Sequence, residues 1–115
     1  MTPSILVVDD DAQVRAILVI LLQDEGYQVR HAVDGLAALW EIEREPPDLV
    51  LADIRMPRLG GTELAARLGA RVVPIAIILM SANAPPPLDR AAPFLSKPFA
   101  IDALLTAVSA ALDAA

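Results

Sequence analysis

Short, almost unbroken apolar runs alternate along this chain with stretches whose apolar positions recur every three or four residues. The first run, SILVVD (4–9), is short and β-branched, which predicts a buried strand. Residues 12–25 carry Val14, Ile17, Leu18, Leu21 and Leu22 at helical spacing, and Gly26 stands where a helix stop belongs. YQVRHA (27–32) alternates like a strand. Asp34 can cap a helix that runs to about Arg44 with Ala38, Leu39 and Ile42 on one face, stopped by Pro46 and Pro47. DLVLAD (48–53) predicts a third strand, MPRLGG a loop, and 62–69 a short helix. IAIILM (75–80) predicts a strand that is apolar on both faces, and PFLS (93–96) a last short one. Residues 100–112 close the pattern with a helix whose stripe is Ile101, Leu104, Leu105, Val108 and Leu112.

Strands that alternate with helices imply an α/β fold, a parallel sheet with helices on both sides. Near-continuous apolar strands agree, because such strands are covered on both faces. The 115 residues are expected to form one domain, 1–115, with a single sizeable core. The hydrophobic fraction of 56% is too high for disorder, and with 3% aromatic residues the core must be aliphatic. Cysteine is absent, which removes disulfides, thiolate metal sites and a Cys nucleophile. A net charge of −6 argues against nucleic acid as a partner of this domain. No apolar run approaches the ~18 residues of a membrane span. The start, MTPSILVVDDD, has no basic region before its apolar run, so it is not read as a secretory signal. The expectation is a soluble, cytoplasmic domain with no membrane partner.

In parallel α/β sheets, reactive side chains gather beyond the carboxyl ends of the strands. The first predicted strand ends in Asp9, Asp10 and Asp11, the third in Asp53, the fourth in Ser81 and the fifth in Lys97. Carboxylates from two neighbouring strands repel strongly without a cation. An all-oxygen set suits a hard divalent ion such as Mg²⁺. A hydroxyl and an ammonium suit a phosphoryl group. Together these are the parts for phosphoryl transfer to a carboxylate. Asp11 fits better as the cap of the first helix than as a ligand. His31 is single, at a strand end, and reads as a surface residue.

The blocks ILVVDDD, DLVLADIRMP, MSA and FLSKPF, in this order and at these spacings, resemble the signature of response-regulator receiver domains of two-component signalling. The resemblance runs over essentially the whole chain. It implies a flavodoxin-like, doubly wound parallel sheet of five strands in the order 2-1-3-4-5. It implies that Asp53 is the phospho-acceptor, supplied by a histidine kinase or a phosphotransfer protein. Mg²⁺ would be held by Asp10, Asp53 and the backbone carbonyl of Arg55, with Asp9 acting through water. Ser81 and Lys97 would meet the phosphoryl group, and Phe94 would be the switch aromatic beside Ser81. The Lys97–Pro98 bond is expected to be cis. The side chains of Arg55 and Asn83 would border the path of attack. Such a domain is a signalling module, not an enzyme acting on outside substrates.

One segment departs from the family. NAPPPLDRAAP, between Ser81 and Lys97, is short and contains four prolines. Proline has no amide to donate within a helix, and it pushes the residue before it out of the helical region. The fourth helix of the family is therefore expected to be absent or reduced to about one turn. The receiver surface around it would be altered, and Ile75, Ile77 or Ile78 would be thinly covered. Leu36 and Trp40 lie off the predicted buried face of their helix, Val19 and Ile20 lie partly off that of the first helix, and such pairs are candidate interface positions, for a homodimer or another partner. A degenerate receiver that binds partners without phosphorylation is the competing reading. A metal-dependent phosphatase is a third, disfavoured because Arg55 stands two positions after Asp53, where such enzymes usually place a second Asp. No effector domain is read after Ala115, which leaves a stand-alone receiver and a piece of a longer protein both open.

Overall fold

The computed structural model describes residues 2–82 and 93–114. Five strands and four helices follow one another among them: β1 (Ser4–Val8), α1 (Ala12–Asp24), β2 (Gln28–Ala32), α2 (Gly35–Arg44), β3 (Leu49–Asp53), α3 (Gly61–Gly69), β4 (Ala76–Ser81), β5 (Phe94–Ser96) and α4 (Ile101–Asp113). Every strand pairing is parallel, and the sheet order is β2-β1-β3-β4-β5. This is the expected doubly wound sheet. The helix expected to be missing or shortened falls on residues 83–92, outside the described residues.

Alternation along each strand sorts the apolar side chains into two cores. Leu6, Val8, Val50, Ala52, Ile77 and Leu79 face one side, where Ala38 and Ile42 of α2 and Leu64 and Leu68 of α3 cover them. Ile5, Val7, Leu49, Leu51, Ile78 and Met80 face the other, beneath Leu18 and Leu22 of α1 and Leu104 and Val108 of α4. Apolar burial on both faces drives the assembly. Surface ion pairs such as Arg67–Glu63 and Arg44–Glu41 add little.

Local signals set the helix ends. The Asp11 side chain accepts hydrogen bonds from the amides of Gln13 and Val14, and Asp34 accepts one from Ala37. Beyond α1, Gly26 takes φ +95°, the left-handed position that closes a helix, and its amide donates to the Gln23 carbonyl at 2.9 Å.

The expectations for Ile17, for Ile101 and for the cover over Ile75, Ile77 and Ile78 need correction. Ile17 and Ile101 are more than half exposed, not part of the buried stripes. Ile17 lies roughly 120° round α1 from the Leu18–Leu22 direction. Ile101 opens α4 beside its cap residue Ala100. Ile77 and Ile78 are buried, on opposite faces of the sheet, and Ile75 is half-buried against the α2–α3 side. Among the described residues, these three form no exposed apolar patch. Val19 packs partly into the core, whereas Ile20, Leu36 and Trp40 are exposed as expected.

Gly26 and Gly69 offer a paired test, because a Cβ would meet nothing within 4 Å at either position. Only Gly26 has a positive φ. Gly26→Ala is expected to cost about 1 kcal/mol, whereas Gly69→Ala, at a helical position, is expected to stabilise by about 0.5 kcal/mol. Urea unfolding of both variants checks the opposite signs.

Candidate functional site at the carboxyl edge of the sheet

The parallel sheet delivers its chemistry to one edge. Asp9 follows β1, Asp53 ends β3, Ser81 ends β4 and Lys97 follows β5. Lys97 Nζ donates to Asp9 Oδ2 at 2.8 Å and to Asp53 Oδ2 at 3.1 Å. Asp9 is fully buried, and its Oδ1 accepts the Asp11 amide at 2.9 Å. Asp53 is part-buried, and its Oδ1 accepts the Arg55 amide at 3.3 Å. Asp10 is exposed, yet carboxylate oxygens of Asp9, Asp10 and Asp53 lie within 4.8 Å of one another. Ser81 is buried, and its carbonyl accepts the Lys97 amide at 2.8 Å, which ties the ends of β4 and β5 together. The Lys97–Pro98 peptide is cis, as expected.

Burial alone would push the Lys97 ammonium down, but its hydrogen bonds to Asp9 and Asp53 outweigh burial and hold it above its ordinary 10.5. Lys97 bonds two of the three clustered carboxylates, so the acidic groups outnumber the ammonium among them. An all-oxygen set with one solvent-facing member fits a hard divalent cation. Phe94 is half-buried against the α2–α3 core and pairs in register with Leu79, two residues before Ser81. The Asn83 position lies outside the described residues.

The loop after Asp53 is built closely onto its surroundings. The Gly61 amide donates to the Ile54 carbonyl at 2.9 Å, and a Cβ on Gly61 would stand 2.4 Å from the Asp53 carbonyl oxygen. Only glycine permits that approach.

Two contributors escaped the sequence reading. Arg15 Nη1 donates to the Asp9 carbonyl at 2.7 Å and braces the turn into α1. An arginine one turn past an acidic cap was a visible signal, although its carbonyl target was not. Arg58, at φ +69°, donates through Nε to Asp34 Oδ2 at 2.9 Å and through Nη2 to the same oxygen. The sequence marks Asp34 only as a cap.

A family model described as "response regulator receiver domain" matches residues 5–109. The chain belongs to that family. As a receiver, it is similar to sporulation initiation phosphotransferase F of Bacillus subtilis, 35% identical over 94% of this chain and 92% of that protein. The response regulator MprA of Mycobacterium leprae is 38% identical over 94% of this chain. The receiver spans about half the length of that regulator. Among solved structures, the response regulator TrrA of Thermotoga maritima, in complex with Mg²⁺-BeF, superposes with a TM-score of 0.87 at 35% identity, covering 96% of this chain and 98% of that one. Vibrio cholerae chemotaxis protein CheY4 superposes with a TM-score of 0.88 at 25% identity, covering 96% of this chain and 99% of that one. The protein is thus a phospho-accepting receiver of two-component signalling. Among the described residues, no helix is long and apolar enough to cross a membrane.

Two outcomes test this electrostatic arrangement. Lys97→Ala strands the buried Asp9 carboxylate and is expected to cost about 2–3 kcal/mol at neutral pH, moderated by the partial exposure of Lys97. Adding Asp9→Asn should recover part of the loss, as a double-mutant cycle in urea would show. The Ala37 amide, and then the Arg58 guanidinium, hold Asp34 below its ordinary 3.8 against the effect of burial. A depressed carboxylate stabilises the fold above its unfolded pKa and loses that contribution as pH falls through the folded one. Asp34→Asn is therefore expected to destabilise at pH 7, with the deficit shrinking steadily below pH 3.8, as unfolding at both ends of that range would show.

Proposed function

We propose that Asp53 is the residue that takes the phosphoryl group, donated by a phosphohistidine on a kinase or phosphotransfer protein. The observation that carries this reading is Lys97 Nζ lying between Asp9 and Asp53 while Asp10 completes the carboxylate cluster. An Asp53 carboxylate oxygen forms the new P–O bond as the donor's P–N bond breaks. The bond's electron pair leaves with the imidazole nitrogen. Asp10, Asp53 and the Arg55 carbonyl would hold Mg²⁺, with Asp9 acting through water. When bound, that ion neutralises charge on the phosphoryl oxygens.

Lys97 starts on the Asp53 carboxylate and so is within reach of an oxygen attached to it. The Ser81 hydroxyl, at the end of the neighbouring strand, donates to another phosphoryl oxygen. Phe94 is the aromatic through which displacement of Ser81 reaches the surface. No carboxylate stands two positions beyond Asp53, which favours an acceptor over a phosphatase acting on outside substrates.

The donor docks along α1. Exposed Ile17 and Ile20 lie on this helix, which begins beside Asp9 and Asp10. A groove of about 310 Å³, lined by Ala12, Arg15, Ala16, Val19, Ile20 and His31, runs between α1 and β2. Leu36 and Trp40 form a second exposed apolar pair, on α2, for a homodimer or output partner.

Mass spectrometry after incubation with Mg²⁺ and acetyl phosphate tests the reading. One added phosphoryl group is expected, absent without Mg²⁺ and absent in Asp53→Asn. An unlabelled wild type would favour a receiver that works only as an interaction module.

A further inference from the structure

Asp53 is followed by a loop that is fastened at two places. At its base, the Gly61 amide donates to the Ile54 carbonyl at 2.9 Å. At its tip, it meets the start of α2, where the Gly35 amide donates to the Leu59 carbonyl at 3.2 Å. A Cβ on Gly35 would stand 2.3 Å from that same oxygen, so the two segments touch backbone to backbone. Beside this contact, both Arg58 donors converge on Oδ2 of Asp34. Asp34 is buried, and its other oxygen accepts the Ala37 amide at 2.8 Å. The carboxylate therefore caps α2 with one oxygen and holds the loop with the other. Arg58 adopts φ +69°, the one non-glycine residue with positive φ among the described residues. A side chain with a Cβ disfavours that conformation, so something must hold it there. The Leu59 amide, donating to the Pro57 carbonyl at 2.8 Å, closes the turn around it, and the guanidinium on a buried carboxylate braces that turn from outside.

We propose that the Arg58–Asp34 pair is a clasp that positions the phospho-acceptor. It acts through the loop it holds. Arg55 lies inside that loop, and its amide donates to Asp53 Oδ1 at 3.3 Å. With the tip anchored on α2 and the base on Ile54, the Arg55 peptide has little freedom, and it orients the Asp53 carboxylate at Oδ1 while Lys97 holds Oδ2. Releasing the tip lets that peptide swing, and the attacking oxygen spends less time in line with the donor. Arg58 is thus a positioning residue, with no contact to the reacting atoms. The inference rests on Asp53 being the acceptor.

Four variants separate positioning from simple stability. Arg58→Gly removes the clasp but suits the positive φ, so the fold is relieved of strain. Arg58→Ala removes the clasp and keeps the strain. Arg58→Lys retains the charge but not the two-pronged contact. Asp34→Asn keeps a capping oxygen and loses the charge. Labelling by acetyl phosphate with saturating Mg²⁺ is followed for each, beside thermal unfolding. Amide hydrogen exchange at Arg55 and Gly61 is measured without metal.

Arg58→Gly is expected to melt above Arg58→Ala, because it relieves the positive φ, yet to label as slowly, about tenfold below wild type. Its Gly61 amide is expected to exchange faster. Asp34→Asn should slow labelling likewise, and Arg58→Lys should fall between Arg58→Gly and wild type. Labelling of Arg58→Gly at the wild-type rate, or unchanged exchange at Gly61, would overturn the clasp while leaving Asp53 as acceptor. A wild type that takes no label would overturn the acceptor reading itself, and the clasp with it.

Discussion

One lysine ammonium shared by two carboxylates is the interaction around which the rest of this structure is arranged. Lys97 follows β5, yet its Nζ reaches Asp53 at the end of β3 and Asp9 beyond β1. Neighbouring strands stand about 4.8 Å apart, so the contact crosses three inter-strand spacings. Parallel strands make this arrangement available, because all their carboxyl ends point the same way. The amide of Lys97 is fixed to the Ser81 carbonyl, so the side chain starts its crossing from a set position. A fully buried Asp9 would be costly without a cation, and Lys97 supplies one. The ammonium still leaves the cluster short of positive charge. That deficit is what makes the site receptive to a divalent ion.

The two cores matter to this chemistry through rigidity rather than contact. β1 and β3 contribute buried side chains to both faces of the sheet, so neither strand can shift without disturbing two sets of helices. Their ends carry Asp9 and Asp53. The acidic residues are held close to one another by aliphatic packing, against their own repulsion. Small residues then allow the loops to close over the strand ends. Gly61 lies against the Asp53 carbonyl, and Gly35 lies against Leu59.

Most of the architecture was legible because local signals and burial agreed. Asp11, Asp34 and Gly26 mark helix ends by side-chain capping or by positive φ, and the structure uses all three in that way. The apolar runs became strands, and β1, β3, β4 and β5 bring Asp9, Asp53, Ser81 and Lys97 to their carboxyl ends as expected. The misreadings arose where a position depends on what packs above it. Spacing put Ile17 with Leu18 and Leu21, but the sheet accepts a narrower stripe of α1. Ile101 fits its stripe by angle and is exposed because it opens the helix. Within the site, residue types and order announced Asp9, Asp10, Asp53, Ser81 and Lys97 as a set. The Arg58–Asp34 contact had no such mark. It joins residues 24 apart in sequence, across an α2–loop contact that exists only after folding.

The Lys97 contacts also constrain how a signal leaves the site. Under the reading of Asp53 as acceptor, a phosphoryl group adds negative charge where Lys97 already divides itself between two carboxylates. The ammonium must then redistribute, and its backbone is bonded to Ser81. Ser81 is in register with Ser96, and Leu79, two residues earlier, is in register with Phe94. A pull on Ser81 and a pull on Lys97 therefore act on the same pair of strand ends. β5 has three residues and lies at the sheet edge, so it is held by fewer neighbours than β1 or β3. The shortest strand of the sheet is thus the one tied most directly to the charge that changes. Local electrostatics can bias such an element between two arrangements without disturbing the central strands.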